Sequence, residues 1–247
     1  MWITRGRLSL AVVAFALTAA ACSGGSDEVA GPTIAPDVDT ILATAADVMG
    51  SVDAVRFTIE LEGADVFIDL GDDVGDLIQF KSADGFFVGP RSAEAVVTVT
   101  IANFNTRIGA VAIDGQIWLA LLADVWQPAP ESFTFDPASL FDPSQGFRKL
   151  FIDGLTDVTL IGTEDRDGFA TYHIRGTANE ERVEVLTAGL TKNQSVDIDV
   201  WLDQSLGRIV DAAFSTTVTA GTADWAMTFR DYGADVTIDP PDLGAGG

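Results

Sequence analysis

Apolar positions change period at a few places along the chain, and each change marks an element. Between Asp37 and Ser51, Val38, Ile41, Leu42, Ala45, Ala46, Val48 and Met49 fall on one helical face, and Gly50 suits the stop. From Val55 the period becomes two: Val55, Phe57, Ile59 and Leu61 alternate with Arg56, Thr58 and Glu60, the pattern of a strand with one buried face. Val66–Leu70 and Leu77–Lys81 read as short strands around an acidic loop. Glu94–Asn103, Thr106–Asp114 and Gln116–Leu122 read as longer ones. Asp114-Gly115 between alternating runs is a hairpin turn, and Asp84-Gly85 and Asp167-Gly168 carry the same signal. The last predicts that Asp157–Thr163 pairs with Phe169–Gly176. Ser195–Asp203, Arg208–Val218 and Ala223–Asp231 complete the strands. In the first of these, Val196, Ile198, Val200 and Leu202 are expected inward, and Asp197, Asp199 and Asp203 outward.

Helices interrupt this meander. Phe135-Asp136-Pro137 and Phe141-Asp142-Pro143 each offer an Asp cap followed by Pro at the first helical position. They predict helices over Pro137–Phe141 and Pro143–Ile152, with Phe141, Phe147, Leu150 and Phe151 giving an aromatic face. Asn179–Leu190 reads as a further helix, capped by Asn179, with Val183, Leu186 and Leu190 on one side. No solenoid repeat and no interior linker divides the pattern, so residues 37–240 are expected to form one α+β domain and 241–247 a disordered tail.

The N-terminus carries a different signal. Arg5 and Arg7 precede an uncharged apolar run, and Leu8–Ala21 is shorter than the roughly 20 residues of a membrane-spanning helix. Cys22 follows directly in Leu17-Thr18-Ala19-Ala20-Ala21-Cys22. This layout resembles a lipoprotein export signal cleaved before the Cys, although Ala19 stands where Leu is usual. Residues 1–21 are thus expected to be removed, and Cys22 to carry acyl chains as a diacylglyceryl-Cys. Residues 22–36, rich in Gly, Ser, Pro and acid, read as a flexible tether.

Charge and residue inventory narrow the chemistry. Across 247 residues there are 37 acidic and 14 basic side chains, a formal net charge of −23, which repels phosphate backbones and argues against nucleic acid. Cys22 is the single cysteine; lipidated, it leaves no disulfide and no thiolate for catalysis or metal. His173 is the single histidine and sits in a predicted strand, where a structural role outweighs that of a catalytic base. No Gly-x-Ser-x-Gly elbow or phosphate-cradling loop is present. Asp69, Asp72, Asp73 and Asp76 have the oxygens for a hard cation but not the EF-hand spacing, and read as a solvated loop. The chain is therefore expected not to be an enzyme and to need no metal or cofactor.

Several segments in order carry a resemblance: the Ile41–Ala46 helix leading into Val55-Arg56-Phe57; Ile113-Asp114-Gly115-Gln116-Ile117-Trp118, then Trp126; Phe135-Asp136-Pro137, Asp142-Pro143, Gly146 and Gly154-Leu155-Thr156-Asp157; Gly162-Thr163-Glu164 and Thr171-Tyr172-His173; and Val200-Trp201-Leu202-Asp203. After a lipidation signal, this succession over residues 38–239 resembles the LppX/LprAFG lipoproteins of mycolate-bearing actinobacteria. The resemblance implies one strongly curved antiparallel sheet, a half-barrel of LolA/LolB-like architecture. Helices would pack on its concave face and enclose an apolar cavity for acyl chains. Phe80–Glu94 is more aromatic than the family pattern and leaves pairing of the early strands open.

The function implied is a lipoprotein on the outer face of the cell membrane that binds acylated lipids or glycolipids and carries them within the envelope. A membrane transporter is a candidate partner. The expected cavity lining is Val97, Val99, Ile101, Ile117, Leu119, Leu121, Val196, Ile198 and Val200 from strands, with Phe141, Phe147, Leu150 and Phe151 from helices. A scaffold lipoprotein with a filled core shares the same binary pattern and stands as the alternative.

Overall fold

A computed structural model describes residues 36–68, 78–122, 125–131, 133 and 136–243. The export signal, Cys22, the tether before Pro36, the acidic run from Asp69 to Asp76 and the end of the tail lie outside the described residues.

Helix α1 (Val38–Met49) begins where Asp37 accepts hydrogen bonds from the Thr40 backbone and hydroxyl, and buries Ile41, Leu42, Ala45, Ala46 and Met49. The strands are β1 (Ala54–Gly63), β2 (Val66–Phe67), β3 (Ile78–Val88), β4 (Ser92–Ile101), β5 (Phe104–Ile113), β6 (Gln116–Leu122) and β7 (Val125–Pro128). Then come β8 (Leu155–Arg166), β9 (Phe169–Ala178), β10 (Val196–Asp203), β11 (Ile209–Val218) and β12 (Gly221–Arg230). They form one curved, open, antiparallel sheet in the order β7-β6-β5-β4-β3-β1-β12-β11-β10-β9-β8, with β2 added on β3. The expected α+β half-barrel is the fold found.

Alternation sorts the faces. Val55, Phe57, Ile59 and Leu61 of β1 are buried while Arg56 and Glu60 are exposed. Between β7 and β8 run a 3₁₀ turn (Pro137–Phe141), a short helix α2 (Phe147–Lys149) and a wider π turn (Leu150–Gly154); α3 (Glu180–Leu186) joins β9 to β10. The main core cluster unites α1, the inward positions of the strands, and Leu140, Phe141, Phe147, Leu150, Phe151, Val183 and Leu186.

Strand directions give the half-barrel two ends. At one lie the connections β3–β4, β5–β6, β8–β9 and β10–β11, the start of β1 and the end of β12. At the other lie β4–β5, β6–β7, β11–β12, the β1–β2 junction, and the starts of β8 and β10.

Four local expectations are corrected. Asp84-Gly85 makes no turn: it lies inside β3, opposite Val96 and Ala95 of β4. Phe80, Ala83 and Phe87 all face the core across a bulge near Lys81, so burial carries the strand through, and a Cβ at Gly85 would lie 1.9 Å from the Glu94 carbonyl oxygen. The early strands therefore pair, β1 with β3 over Ala54–Glu60 and β3 with β4 along its length. The second helix starts at Phe147 rather than Pro143, because the Asp142 carboxylate accepts from the Ser144 N–H and hydroxyl and holds a turn there. Helix α3 stops at Leu186 rather than Leu190, since Ala188 (φ 49°) and Gly189 (φ 84°) turn left-handed. Asp203 is buried, not outward: it accepts from Ser205 and Leu206 N–H groups and the Ser205 hydroxyl at the β10–β11 turn.

Candidate functional site

The concave face is where the sequence-predicted lining residues meet. Val97, Val99, Leu119, Val196, Ile198 and Val200 are buried in the main cluster, together with Phe141, Phe147, Leu150 and Phe151. Ile101, Ile117 and Leu121 are only partly buried and pack against its margin. All thirteen positions thus belong to one apolar assembly that spans both wings of the sheet.

Its centre is aromatic. Phe141 stacks on Phe87 of β3 at 4.5 Å between ring centroids and meets Phe229 of β12 edge-on at 5.9 Å. Phe147 meets Phe229 edge-on at 5.2 Å and stacks on Phe151 at 6.5 Å. Deeper in the sheet, Trp225 lies between Phe80 and Phe214, each at 5.9 Å, and its indole N–H donates to the Thr216 hydroxyl. Such pairs add about 0.5–1.5 kcal/mol each beyond area burial.

The helical insert owes its place to two polar residues. Asp136 caps the 3₁₀ turn by accepting from the Ala138 N–H at 2.9 Å; burial pushes its carboxyl above the ordinary value. Arg182 of α3 is buried, donates to the Gln145 carbonyl and pairs with Glu181. Its stem lies over Gly154, where a Cβ would come within 2.6 Å. Arg182 escapes a sequence reading, because its helix face looks like that of any exposed arginine until Gln145 is placed against it.

The two ends of this face differ. At the first, Gly50 and Gly207 allow α1 to approach closely: a Cβ at Gly50 would stand 2.4 Å from Arg148, and one at Gly207 2.8 Å from Thr44. Tyr232 plugs the gap. Its hydroxyl donates to the Ile209 carbonyl at 2.7 Å, Arg208 lies 4.8 Å over its ring, and burial drives its phenol pKa strongly upward. At the second end, Ile78, Ile101 and Phe104 occupy one register row, and Phe67 pairs with Gln79 one step away. Phe104 is 77% exposed, Val125 68% and Phe67 42%.

The outer face over β9 and β10 is polar, whereas over β5 and β6 Val111, Trp118 and Ile238 form a second small apolar cluster. His173 bonds Asp199 at 2.6 Å and stacks on Trp201 at 4.6 Å, while Arg175 grips Asp199 through two 2.9 Å bonds. Although burial opposes it, these donors hold the Asp199 carboxyl below the ordinary range. Trp201 donates to Glu164 and lies under Arg166 at 4.1 Å. Among the described residues the polar partners of His173 are Asp199 and Glu164, with no serine, threonine or cysteine side chain among them. A broad open groove of about 660 Å³ on this side, near the start of β10, is lined by Glu60, Glu62, Asp197, Asp199, Ser215 and Asp224, with Phe214 and Trp225 beneath. Among the described residues no three His, Cys, Asp or Glu side chains converge as a metal site, and no helix is long and apolar enough to cross a membrane.

Comparisons with known proteins agree with this architecture. The lipoarabinomannan carrier protein LprG of Mycobacteroides abscessus is 22% identical over 238 residues, covering 96% of this chain and 99% of that protein. Lipoprotein LprA of Mycobacterium tuberculosis is 22% identical over 247 residues, with 94% of each chain covered. Among solved structures, LprF from Mycobacterium bovis superposes with a TM-score of 0.63 at 16% identity, over 84% of this chain and 98% of that one. LppX from Mycobacterium tuberculosis gives 0.55 at 18% identity, over 82% and 100%. Residues 39–238 match the LppX_LprAFG lipoprotein family as a whole, and the chain belongs to that family.

Proposed function

We propose that the protein is a lipoprotein, anchored to the membrane through acylated Cys22, that binds an acylated lipid or glycolipid between the concave sheet face and the helical insert and carries it within the cell envelope. The observation that carries this reading is the continuous apolar assembly across both wings, faced by rings on an insert with little regular helix. A relative named as a lipoarabinomannan carrier supports it. Acyl chains leave water at about 25 cal/mol per Å² of apolar surface, so such a site needs apolar walls and no catalytic group. The chains would enter by separating Phe141 and Phe147 from Phe87 and Phe229. Short 3₁₀, α and π segments yield at lower free energy than a long helix.

A scaffold lipoprotein with a filled core is the second reading, and the ring stacking of Phe141 and Phe147 on the sheet favours it. One experiment separates the two. Solvent extraction of the purified full-length lipoprotein, followed by mass spectrometry, releases non-covalent cargo and leaves the covalent anchor. We expect acylated species in wild type, and less of them in Ile198→Trp with its melting temperature kept. A solid core would instead lose about 1–3 kcal/mol to overpacking, with no cargo in either protein.

A further inference from the structure

Two ends of one half-barrel treat apolar surface in opposite ways. At the end sealed by α1 and Tyr232, Leu206 is 50% exposed in a turn whose other members are Gln204, Ser205, Gly207 and Arg208. A lone exposed leucine among polar groups is ordinary. At the other end the apolar character is continuous from inside to outside. Ile78 is buried, Ile101 beside it is partly buried against the core, and Phe104, last in the same register row, stands in solvent. Leu121 and Ala64, also partly buried against the core, run toward the same end, and Val125 and Phe67 are exposed there. A run of this kind marks an interaction surface rather than scattered exposure.

We infer that this end, presented by Phe104 and Val125, is the mouth of the concave face and the surface that touches a lipid bilayer. The occupant follows from the tether and from charge. An anchor at Cys22 would keep Pro36 within about 50 Å of the membrane, the reach of the intervening residues at 3.3–3.6 Å each, so a bilayer is always the nearest apolar medium. The formal charge, −23 for the full chain and more negative once Arg5 and Arg7 leave with the export signal, selects among bilayers: contact comes from apolar insertion and is opposed by anionic headgroups, so neutral or glycosylated surfaces are favoured. The inference rests on the anchored-carrier reading above.

The test uses the full lipidated protein reconstituted in phosphatidylcholine vesicles. With Cys22 consumed by its anchor, an introduced cysteine is the only free thiol. Phe104→Cys, Val125→Cys and, for comparison, Leu206→Cys carry an environment-sensitive fluorophore, and some vesicles contain brominated lipid. We expect a blue shift and quenching at positions 104 and 125 and neither at 206. Phosphatidylglycerol should weaken the quenching at low salt, with recovery as salt is added. Equal quenching at 104 and 206, or none at 104 and 125, overturns the inference. Extracted cargo measured on the same preparations separates its failure from that of the carrier reading. Cargo without quenching removes this inference alone, whereas absent cargo removes the carrier reading whatever the fluorophores report.

Discussion

The sealed end and the open end are made of the same material, hairpin turns of one antiparallel sheet, yet they satisfy their surfaces differently. The sealed end joins unlike groups. Tyr232 fills space with its ring, donates to Ile209 and supports Arg208, while Arg230 reaches Asp167 at 2.6 Å and Asp211 at 3.0 Å. Apart from Leu206 in the β10–β11 turn, the groups named here are covered or paired. The open end leaves Phe104 with little to cover it. On the inference above, contact with a bilayer falls to one end of the strands, while the other end is closed by paired polar groups around Tyr232 and Arg230.

Substitutions can break or sharpen this contrast. The largest effect is expected between the ends, where Phe147→Ala removes a ring packed on Phe141, Phe151 and Phe229 and should cost about 3–5 kcal/mol in denaturant unfolding. At the sealed end, Tyr232→Phe leaves the Ile209 carbonyl without its donor and should lower stability by about 1 kcal/mol, read from the unfolding midpoint. Acid should produce a smaller loss there. Burial works against the Asp203 charge, but Ser205, Leu206 and Arg208 outweigh it and hold the carboxyl below its ordinary value. Its stabilising contribution is present above the unfolded carboxylate pKa of about 3.9 and disappears as pH falls through the lower folded value. Melting temperatures of wild type and Asp203→Asn should accordingly converge in acid. Smallest of all, Phe104→Ser at the open end should change stability by no more than about 0.5 kcal/mol. A loss there comparable with that of Tyr232→Phe would show that Phe104 is packed and that the contrast between the ends is false.

Much of this was legible in the chain. Val196, Ile198, Val200 and Leu202 alternate so cleanly that the buried face of β10 follows from period alone, and Asn179 does cap α3 through the Arg182 N–H. The aromatic spacing of Phe141, Phe147 and Phe151 foretold their meeting, though not their partners Phe87 and Phe229, which come from strands far away in sequence. Asp84-Gly85 misled because a turn dipeptide is a local preference, while the burial of Ala83 and Phe87 around it is a tertiary gain. The two ends were illegible for a related reason. Phe104 and Leu206 are alike as exposed apolar residues, and only strand register places the first at the end of a row that begins in the core.

The order of strands also bears on how the molecule comes into being. Each wing is a meander of sequence neighbours, except that β1 pairs with β3 past the short β2, and the one long-range pairing among the described strands is the seam between β1 and β12. That seam joins Phe57 to Phe229 and Leu61 to Trp225, residues from opposite ends of the domain. Pairing within each wing closes only short loops, whereas the seam must wait for the final strand to be synthesised. Until then β1 has an apolar face and an unsatisfied hydrogen-bonding edge that another nascent chain can capture. Refolding should therefore show a late step that is slowed by substitutions along Ile59 and Met227 and is indifferent to those in β8.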